Sequence, residues 1–346
     1  MTRKKVEQVA SPTAIVGIVD IAVYLPEQVE SSKQIAEKTG IPRQVLEERF
    51  GIREKRVAGS EEHASDLAGN AAKKILQKID PGEIDAAIYC GSPYKDYPVW
   101  ACAPKIQHEL GLNKAYVFEI MNMSAGFNTA LKIAKDMLLA DPHLRNILLV
   151  AGSKESNLVD PVNPRTRFML DFGDGGAAML IRKGHEENVI LESFLHTDGS
   201  LYQHVKVPGW GFVLPCTETL NREKHFLDVF NFNTMKNKLN DVSANNFVRV
   251  IKEALARSGY PGVSPDFLAL LHLKPSINKY ILSKLGLKEE QSVYLDQFGH
   301  ISCVDIVTAL HEGLKLQRVR EGDLVVMASA GTGYTWGANV IKWGKL

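Results

Sequence analysis

Ser124 is the first residue whose type and position suit chemistry. It lies in the stretch Met-Asn-Met-Ser-Ala-Gly-Phe, between a β-like run and an amphipathic helical run. A nucleophile at such a junction gains from the free N–H groups and the positive dipole end of the helix, which stabilise negative charge on a bound acyl oxygen. Serine is also a good helix cap, and the local sequence by itself favours the cap over the nucleophile.

Two histidines and one aspartate offer acid–base chemistry. His272 ends an apolar run and precedes Lys274-Pro275; a lone histidine there is more often a hydrogen-bonded structural group than a catalyst. His300 lies in a turn that enters a helix, and Asp305 follows about a turn and a half later. A carboxylate there orients the imidazole for work as a base, as in a Ser-His-Asp triad. Alternatively, Asp305 only stabilises the helix N-terminus electrostatically.

Two glycine-rich segments have weaker signals. Residues 331–337 (GTGYTWG) follow an apolar run, and such a loop lets a ligand approach the backbone closely. The segment lacks the G-K-[ST] ending of a phosphate loop. Residues 171–176 (DFGDGG) form a tight turn whose aspartates organise the turn rather than bind calcium. We therefore predict no metal site.

The elements that position these residues repeat along the chain. Strand-like and helical runs alternate throughout, which predicts an α/β fold. Equivalent landmarks in the two halves are offset by 182, 179 and 177 residues, from Pro93 to Pro275, from Thr129 to Thr308 and from Asn146 to Asp323. We expect the halves, residues 14–182 and 188–346, to form one rigid unit about a pseudo-twofold axis. Ser124, His272, His300 and residues 331–337 would then line one cleft.

Composition and charge exclude several classes of protein. Lysine and arginine total 41 against 40 acidic residues, so no net field attracts nucleic acid or an anionic membrane. No signal-like segment and no run of about 18 apolar residues occurs, which predicts a cytoplasmic protein. The cysteines are scattered without zinc-site spacing, and we expect reduced thiols, mostly buried, at Cys90, Cys102, Cys216 and Cys303.

Together, several short segments resemble ketoacyl synthase III of the thiolase superfamily, over roughly residues 14–344. They occur in the order and at the spacing of that family, as residues 24–27 (YLPE), 51–56 (GIREKR), 125–127 (AGF), 172–175 (FGDG), 196–200 (HTDGS) and 333–337 (GYTWG). The resemblance implies a thiolase fold, in which two duplicated α/β halves pack as αβαβα layers. It also implies a homodimer that uses acyl-CoA or acyl carrier protein as substrate and needs no cofactor.

The catalytic positions of the family carry over with two changes. The nucleophilic cysteine of the family falls at Ser124, its first histidine at His272 and its asparagine at His300. Thr332 matches a glycine whose backbone N–H joins that of the nucleophile in an oxyanion hole. Cys102 matches a non-catalytic position and cannot take over the role of the nucleophile.

The resemblance also implies positions that bind substrate. Arg49 fits a basic residue of the coenzyme A surface, although the adenine-stacking tryptophan of the family falls near Val45. The segment at Tyr97 reaches towards the acyl pocket of the neighbouring subunit. Phe172 and Gly333, within the matched motifs, are also expected to bind substrate.

The two changes fit each other chemically. A cysteine ionises near neutral pH with help from a helix dipole, whereas a serine hydroxyl needs a general base. His300 and Asp305 supply that base and its orienting carboxylate. The resulting pattern is similar to that of starter-unit synthases of the daunorubicin pathway, and its His–Asp part resembles cervimycin-type acyltransferases.

The leading interpretation is an acyltransferase in which Ser124 attacks an acyl thioester, His300 accepts its proton and Asp305 steadies His300. The N–H groups of Ser124 and Thr332 would hold the oxyanion, and His272 would bind or deprotonate the acceptor. Condensation with a malonyl thioester stays open. Two other classes remain: a thioester hydrolase with the same Ser-His-Asp set, and a catalytically silent partner in which Ser124 is only a cap.

Overall fold

The computed structural model describes residues 15–209 and 225–345. Its strands are β1 (Val16–Tyr24), β2 (Val29–Ser31), β3 (Glu54–Arg56), β4 (Ala86–Tyr89), β5 (Tyr116–Glu119), β6 (Asn146–Lys154), β7 (Asp174–Lys183), β8 (Glu187–Thr197), β9 (Val205–Lys206), β10 (Asp228–Val229), β11 (Phe267–Leu270), β12 (Leu324–Gly331) and β13 (Thr335–Lys345). Its helices are α1 (Ser32–Thr39), α2 (Arg43–Val45), α3 (Ala64–Leu76), α4 (Ala103–Glu109), α5 (Gly126–Ala140), α6 (Phe232–Arg257), α7 (Pro275–Leu285) and α8 (Asp305–Lys315).

Nine strands form one continuous sheet in the order β11-β12-β13-β8-β1-β7-β6-β4-β5. On one side β5, β4 and β6 are parallel, and β7 and β1 follow antiparallel. On the other side β11 and β12 are parallel, and β13 and β8 follow antiparallel. The two parts meet where Gly17 of β1 pairs with Val189 of β8. The shared order of directions is the structural form of the sequence repeat.

The repeat extends to single residues. Asp85 Oδ2 accepts the N–H of Asn146 at 2.9 Å, and Asp266 Oδ2 accepts the N–H of Leu324 at 2.8 Å. Met123 and Ser302 have φ of 49° and 53°, just before α5 and just before α8. They are 179 residues apart, which is one of the offsets found between the landmarks of the sequence.

The sheet and helices pack in five layers. Helices α5 and α8 contact strands of both parts of the sheet and lie between them, α3 covers the outer face of one part, and α6 covers that of the other. Each interface is filled by buried apolar side chains, such as Phe127 of α5 in the middle layer, Ile75 of α3 and Phe247 of α6. Burial on this scale is the main favourable term in folding. The predicted αβαβα thiolase fold is confirmed.

A fourth apolar cluster covers the ends of the strands on one side. It joins side chains from α1, from the segment after β6 and from the start of α6, including Leu46, Leu158, Met169, Leu227 and Met235. The sequence repeat does not predict this cluster. The cluster lies over the point where the loops of the two halves meet.

The predicted boundary of the halves, between residues 182 and 188, falls around the turn that joins β7 to β8. Because the middle layer is shared by both halves, the division into two domains stays a prediction. Along residues 15–209 and 225–345, no helix has the length and apolar character needed to cross a membrane.

Candidate active site

Ser124 lies in a short 3-10 turn, Met123–Ala125, between β5 and α5. Ala125 is the cap residue of α5 and no side chain caps that helix, so Ser124 is not the cap that the local sequence favoured. Two close backbone approaches hold the turn. A Cβ at Gly126 would lie 2.4 Å from the carbonyl oxygen of Cys90, and one at Gly331 would lie 2.5 Å from that of Asn122.

His300 and Asp305 meet Ser124 in a continuous hydrogen-bonded chain. His300 Nε2 lies 3.2 Å from Ser124 Oγ, and His300 Nδ1 lies 2.6 Å from Asp305 Oδ2. Asp305 is in the first turn of α8, where a carboxylate also interacts favourably with the helix dipole. The structure therefore brings three of the four predicted catalytic residues together in this chain of contacts, although 176 residues separate Ser124 from His300.

The carboxylate of Asp305 fixes more than the imidazole. Its Oδ1 accepts the N–H of Ile301 at 2.6 Å, and its Oδ2 also accepts the backbone N–H of His272 at 2.9 Å. Burial by itself would lower the pKa of His300, but the charge and hydrogen bond of Asp305 outweigh burial and raise that pKa to about 9. His300 is thus an imidazolium at neutral pH, stabilised by a carboxylate within hydrogen-bonding distance.

Phe172 packs directly against His300. The two rings meet edge to face with centroids 5.0 Å apart. The backbones also pair, since the N–H of His300 donates to the carbonyl oxygen of Asp171 at 2.7 Å and that of Gly173 donates to His300 at 2.9 Å. Phe172, predicted to bind substrate, thus holds the His300 ring in place and also lines the cavity described below.

His272 lies on the other side of the site, beside Asp171. Its Nε2 is 3.8 Å from Asp171 Oδ2, and its ring packs on Tyr294 with centroids 5.0 Å apart. Burial lowers the pKa of His272 to about 4 and raises that of Asp171 to about 6. Neither ring nitrogen has a hydrogen-bond partner among the described residues, although the backbone of Gly51 acts to raise the pKa of His272 against burial.

Glu155 and Ser302 were not found by sequence reasoning. Ser302 Oγ lies 3.3 Å from Ser124 Oγ, so the Ser124 hydroxyl has a second hydrogen-bond partner besides His300. Glu155 follows β6, accepts a 2.6 Å hydrogen bond from Ser92, and has a pKa raised by burial, which the Ser92 and Ser302 hydroxyls oppose. A glutamate directly after a buried apolar strand was the available signal for Glu155.

The predicted oxyanion-hole residue Thr332 lies in the turn between β12 and β13 and lines the same cavity as Ser124. Gly331, its neighbour, is the residue whose missing Cβ lets the nucleophile turn approach. This contact packs the end of β12 against the turn Met123–Ala125, and the use of Thr332 in an oxyanion hole stays a prediction.

A cavity of about 920 Å³ opens onto these residues. Its wall is mostly apolar and includes Phe50, Phe168, Met235 and Phe247, while Arg167, Lys206, Lys236 and Lys274 add positive charge. A site of this size and mixture is typical of pockets that bind small molecules through apolar contact and a few polar groups.

Three predicted substrate-binding residues lie away from this wall. Arg49 is exposed and adjacent to Phe50, which does line the cavity. Tyr97 is 65% exposed on the surface, against the edge of the Trp100 ring. Gly333 has φ of 131° and open space where a Cβ would be. Their roles stay predictions.

No cysteine of the described chain replaces the serine. Cys90, Cys102 and Cys303 are buried and unpaired, as expected, whereas Cys216 lies outside the described residues. Burial raises the thiol pKa of all three, so they are neutral at physiological pH. Across residues 15–209 and 225–345, no cluster of three or more His, Cys, Asp or Glu side chains is arranged to hold a metal ion.

Comparisons with known proteins identify a family. Residues 118–199 match the model of 3-oxoacyl-[acyl-carrier-protein (ACP)] synthase III, and residues 255–343 match the model of its C-terminal part. The chain is 30% identical over 344 residues to a beta-ketoacyl-[acyl-carrier-protein] synthase III of Symbiobacterium thermophilum, covering 95% of this chain and 98% of the relative.

Two further relatives have the same description. The corresponding protein of Syntrophomonas wolfei is 28% identical over 340 residues, covering 95% of this chain and 98% of the relative. The crystal structure of 3-oxoacyl-[acyl-carrier-protein] synthase III from Aquifex aeolicus superimposes with a TM-score of 0.81 at 26% identity, covering 95% of this chain and all of that one.

Proposed function

The chain belongs to the 3-oxoacyl-[acyl-carrier-protein] synthase III family, and on that premise we propose that it transfers an acyl group from a thioester through an ester on Ser124. The observation that carries this proposal is the chain of contacts from Ser124 Oγ to His300 Nε2 and from His300 Nδ1 to Asp305. A serine hydroxyl becomes an effective nucleophile when a positioned base takes its proton and a third group orients that base.

The acylation step follows from these contacts. His300, in its neutral form, takes the proton of Ser124 as Oγ bonds to the thioester carbon. The developing oxyanion is stabilised by the backbone N–H groups of Ser124 and Thr332. The carbon–sulfur bond then breaks and the thiolate leaves, while His300 remains as an imidazolium beside Asp305. The acceptor later takes the acyl group, and Ser124 recovers its proton from His300.

The donor that we propose is an acyl-CoA or an acyl carrier protein thioester. Both carry phosphate groups on a flexible pantetheine arm that enters a pocket. The cavity offers an apolar wall for the acyl chain, and its cationic side chains, Arg167, Lys206, Lys236 and Lys274, favour a phosphate-bearing donor. Arg49, exposed beside Phe50, is proposed to add to the same attraction.

We assign the protein to the group with a serine nucleophile and a histidine–aspartate pair, of the daunorubicin and cervimycin type. Serine in place of cysteine, together with the 2.6 Å contact between His300 and Asp305, supports this subgroup. We also propose a homodimer whose interface includes the segment around Tyr97, where Tyr97 is 65% exposed and Val99 is fully exposed. Size-exclusion chromatography with light scattering tests the dimer; a monomeric mass would contradict it.

The test of the acyltransferase is the intact mass of the protein after incubation with a panel of acyl-CoA and acyl carrier protein thioesters. Wild type is expected to gain one acyl group, Ser124→Ala to gain none, and His300→Ala to acylate more slowly by a factor of about 10² or more. Absence of any adduct and of any thiol release across the panel would contradict the proposal. Fast thiol release without an acceptor would instead identify a thioester hydrolase.

A further inference from the structure

Three buried polar atoms beside the cavity have no hydrogen-bond partner among the described residues. They are Asp171 Oδ1 and both ring nitrogens of His272. Asp171 is 8% exposed and His272 is 4% exposed, and both line the cavity. Buried polar groups are nearly always hydrogen-bonded in native proteins, because an unpaired one retains its full desolvation cost. Their concentration at one point of the cavity indicates that a ligand supplies the missing partners.

The charged groups around this point are already committed to other partners. Asp305 holds His300 and two backbone N–H groups. Lys55 donates to the carbonyl oxygen of Leu170 at 3.0 Å and pairs with Glu30 at 3.3 Å. Lys274 lies over the rings of Phe50 and Phe168, 5.6 and 5.9 Å from their centroids. Among the described residues Asp171 forms no ion pair with a lysine or arginine, although His300, Lys55 and Lys274 lie near enough for their charges to act on its carboxylate.

The pair of His272 and Asp171 favours one kind of ligand. At neutral pH the imidazole is uncharged and the carboxylate is mostly ionised, since burial puts their pKa values at about 4 and about 6. Their facing atoms are 3.8 Å apart, which is too far for a direct hydrogen bond. An amino group between them can donate to both acceptor atoms, and a hydroxyl can donate to one of them. A second carboxylate there would face the carboxylate of Asp171 at close range and be repelled.

We propose that the acceptor of the acyl group is an uncharged amine or alcohol bound by His272 and Asp171, and not a carboxylated thioester such as malonyl-CoA. The proposal rests on the proposed acyl-Ser124 intermediate and defines what consumes it. Sequence reasoning expected His272 to serve the acceptor but assigned Asp171 only to the glycine turn.

The step balances with the groups that are present. The acceptor oxygen or nitrogen forms a bond to the acyl carbon, and its proton passes to His272, whose imidazolium is then stabilised by Asp171. The bond between the acyl carbon and Ser124 Oγ breaks, and Oγ takes the proton that His300 kept from acylation. The proton on His272 leaves to solvent, where it matches the thiolate released in the first step. The product is an amide or an ester.

The experiment separates the two half-reactions. Acyl-Ser124 enzyme is formed with the thioester that labels it best, freed of donor, and mixed with aniline, benzyl alcohol or malonyl-CoA. Loss of the adduct is followed by intact mass and the products by mass spectrometry. We expect aniline or benzyl alcohol to remove the adduct at least about tenfold faster than buffer and to yield amide or ester, with no 3-oxoacyl product from malonyl-CoA.

Variants of Asp171 test the role of the carboxylate. Asp171→Asn keeps the shape of the side chain but removes a charge that also raises the pKa of His300. We expect transfer to aniline to fall at least about tenfold more than acylation of Ser124 does, and malonyl-CoA to bind more tightly. Asp171→Ser is a second variant if the first does not fold. The matched control is Asp136→Asn, which removes a carboxylate on the exposed face of α5.

The outcomes are distinguishable. A 3-oxoacyl product from wild type and malonyl-CoA, or equal transfer rates in wild type and Asp171→Asn, would overturn the acceptor assignment while leaving acyl-Ser124 intact. If no thioester labels Ser124, the proposed function fails, and p-nitrophenyl acetate is used to form the ester instead. If that also fails, calorimetric titration decides: equal affinity of wild type and Asp171→Asn for malonyl-CoA overturns the assignment.

Discussion

The two histidine–aspartate pairs beside the cavity are built from the same residue types and are both buried, but they differ in contact distance and in the pKa of the histidine. His300 Nδ1 and Asp305 Oδ2 are 2.6 Å apart, and the pKa of His300 is raised to about 9. His272 Nε2 and Asp171 Oδ2 are 3.8 Å apart, and the pKa of His272 is lowered to about 4. One histidine is thus cationic at neutral pH and the other is neutral. Burial lowers the pKa of both imidazoles, and only the direct contact of His300 with Asp305 outweighs it.

The cause lies in where each carboxylate comes from. Asp305 is five residues from His300 and starts the helix that follows it, so a single turn sets their distance. Asp171 and His272 come from opposite halves of the chain and meet only through tertiary packing. The first pair suits charge stabilisation on the nucleophile, whereas the second leaves space for a substrate group.

The largest effect is expected when the close pair, His300 and Asp305, is broken. Asp305→Asn keeps the size of the side chain but removes the charge that stabilises the imidazolium of His300. We expect the rate of Ser124 acylation to fall by about 10³ to 10⁴, as for the equivalent change in a Ser-His-Asp triad. The rate is measured by intact mass over time. Asp136→Asn is the control, and a loss below about tenfold would contradict the triad.

Removing His272 from the open pair, which consists of His272 and Asp171, should separate acylation of Ser124 from transfer to the acceptor. With His272→Ala we expect acylation of Ser124 within about threefold of wild type, and transfer from acyl-Ser124 to the acceptor slower by about 10². The backbone N–H that Asp305 accepts at position 272 is retained in this variant. Equal loss in both steps would mean that His272 supports the whole site and not the acceptor.

The pH dependence of acylation sharpens the comparison. Only neutral His300 accepts the proton of Ser124, and its pKa of about 9 exceeds the ordinary value. The acylation rate should therefore rise with pH and level off above about 9, with less reaction at each lower pH. In Asp305→Asn the midpoint should move down towards about 6.5. A wild-type midpoint near that lower value would show that Asp305 does not raise the pKa of His300.

The smallest effect is expected at Glu155, whose charge also raises the pKa of His300. With Glu155→Gln the midpoint of the acylation profile should move to lower pH by less than about one unit, and the plateau rate should change by less than about tenfold. Asp136→Asn, which removes an exposed carboxylate of α5, is the control. An unchanged midpoint in Glu155→Gln would contradict electrostatic coupling to His300.

Most of the nucleophile side of the site was predictable from the sequence. Ser124, His300 and Asp305 each lie at a turn that enters a helix, and the internal repeat places both turns at equivalent positions. The prediction of the cap failed for a local reason: the backbone bends at Met123, and the helix begins only after Ala125. Glu155 and Ser302 were missed because their proximity to Ser124 depends on how β6 and the second turn pack.

The α/β class, the duplication and the close pair can all be predicted from the sequence, because alternating patterns, repeated landmarks and a five-residue spacing are local. The open pair depends on tertiary packing. Phe172 and His300 pair across the two halves, and this pairing places Asp171, the residue before Phe172, beside His272. The burial of His272 and the gap left beside it follow from the meeting of three segments distant in the chain, and no spacing along the sequence encodes such a gap.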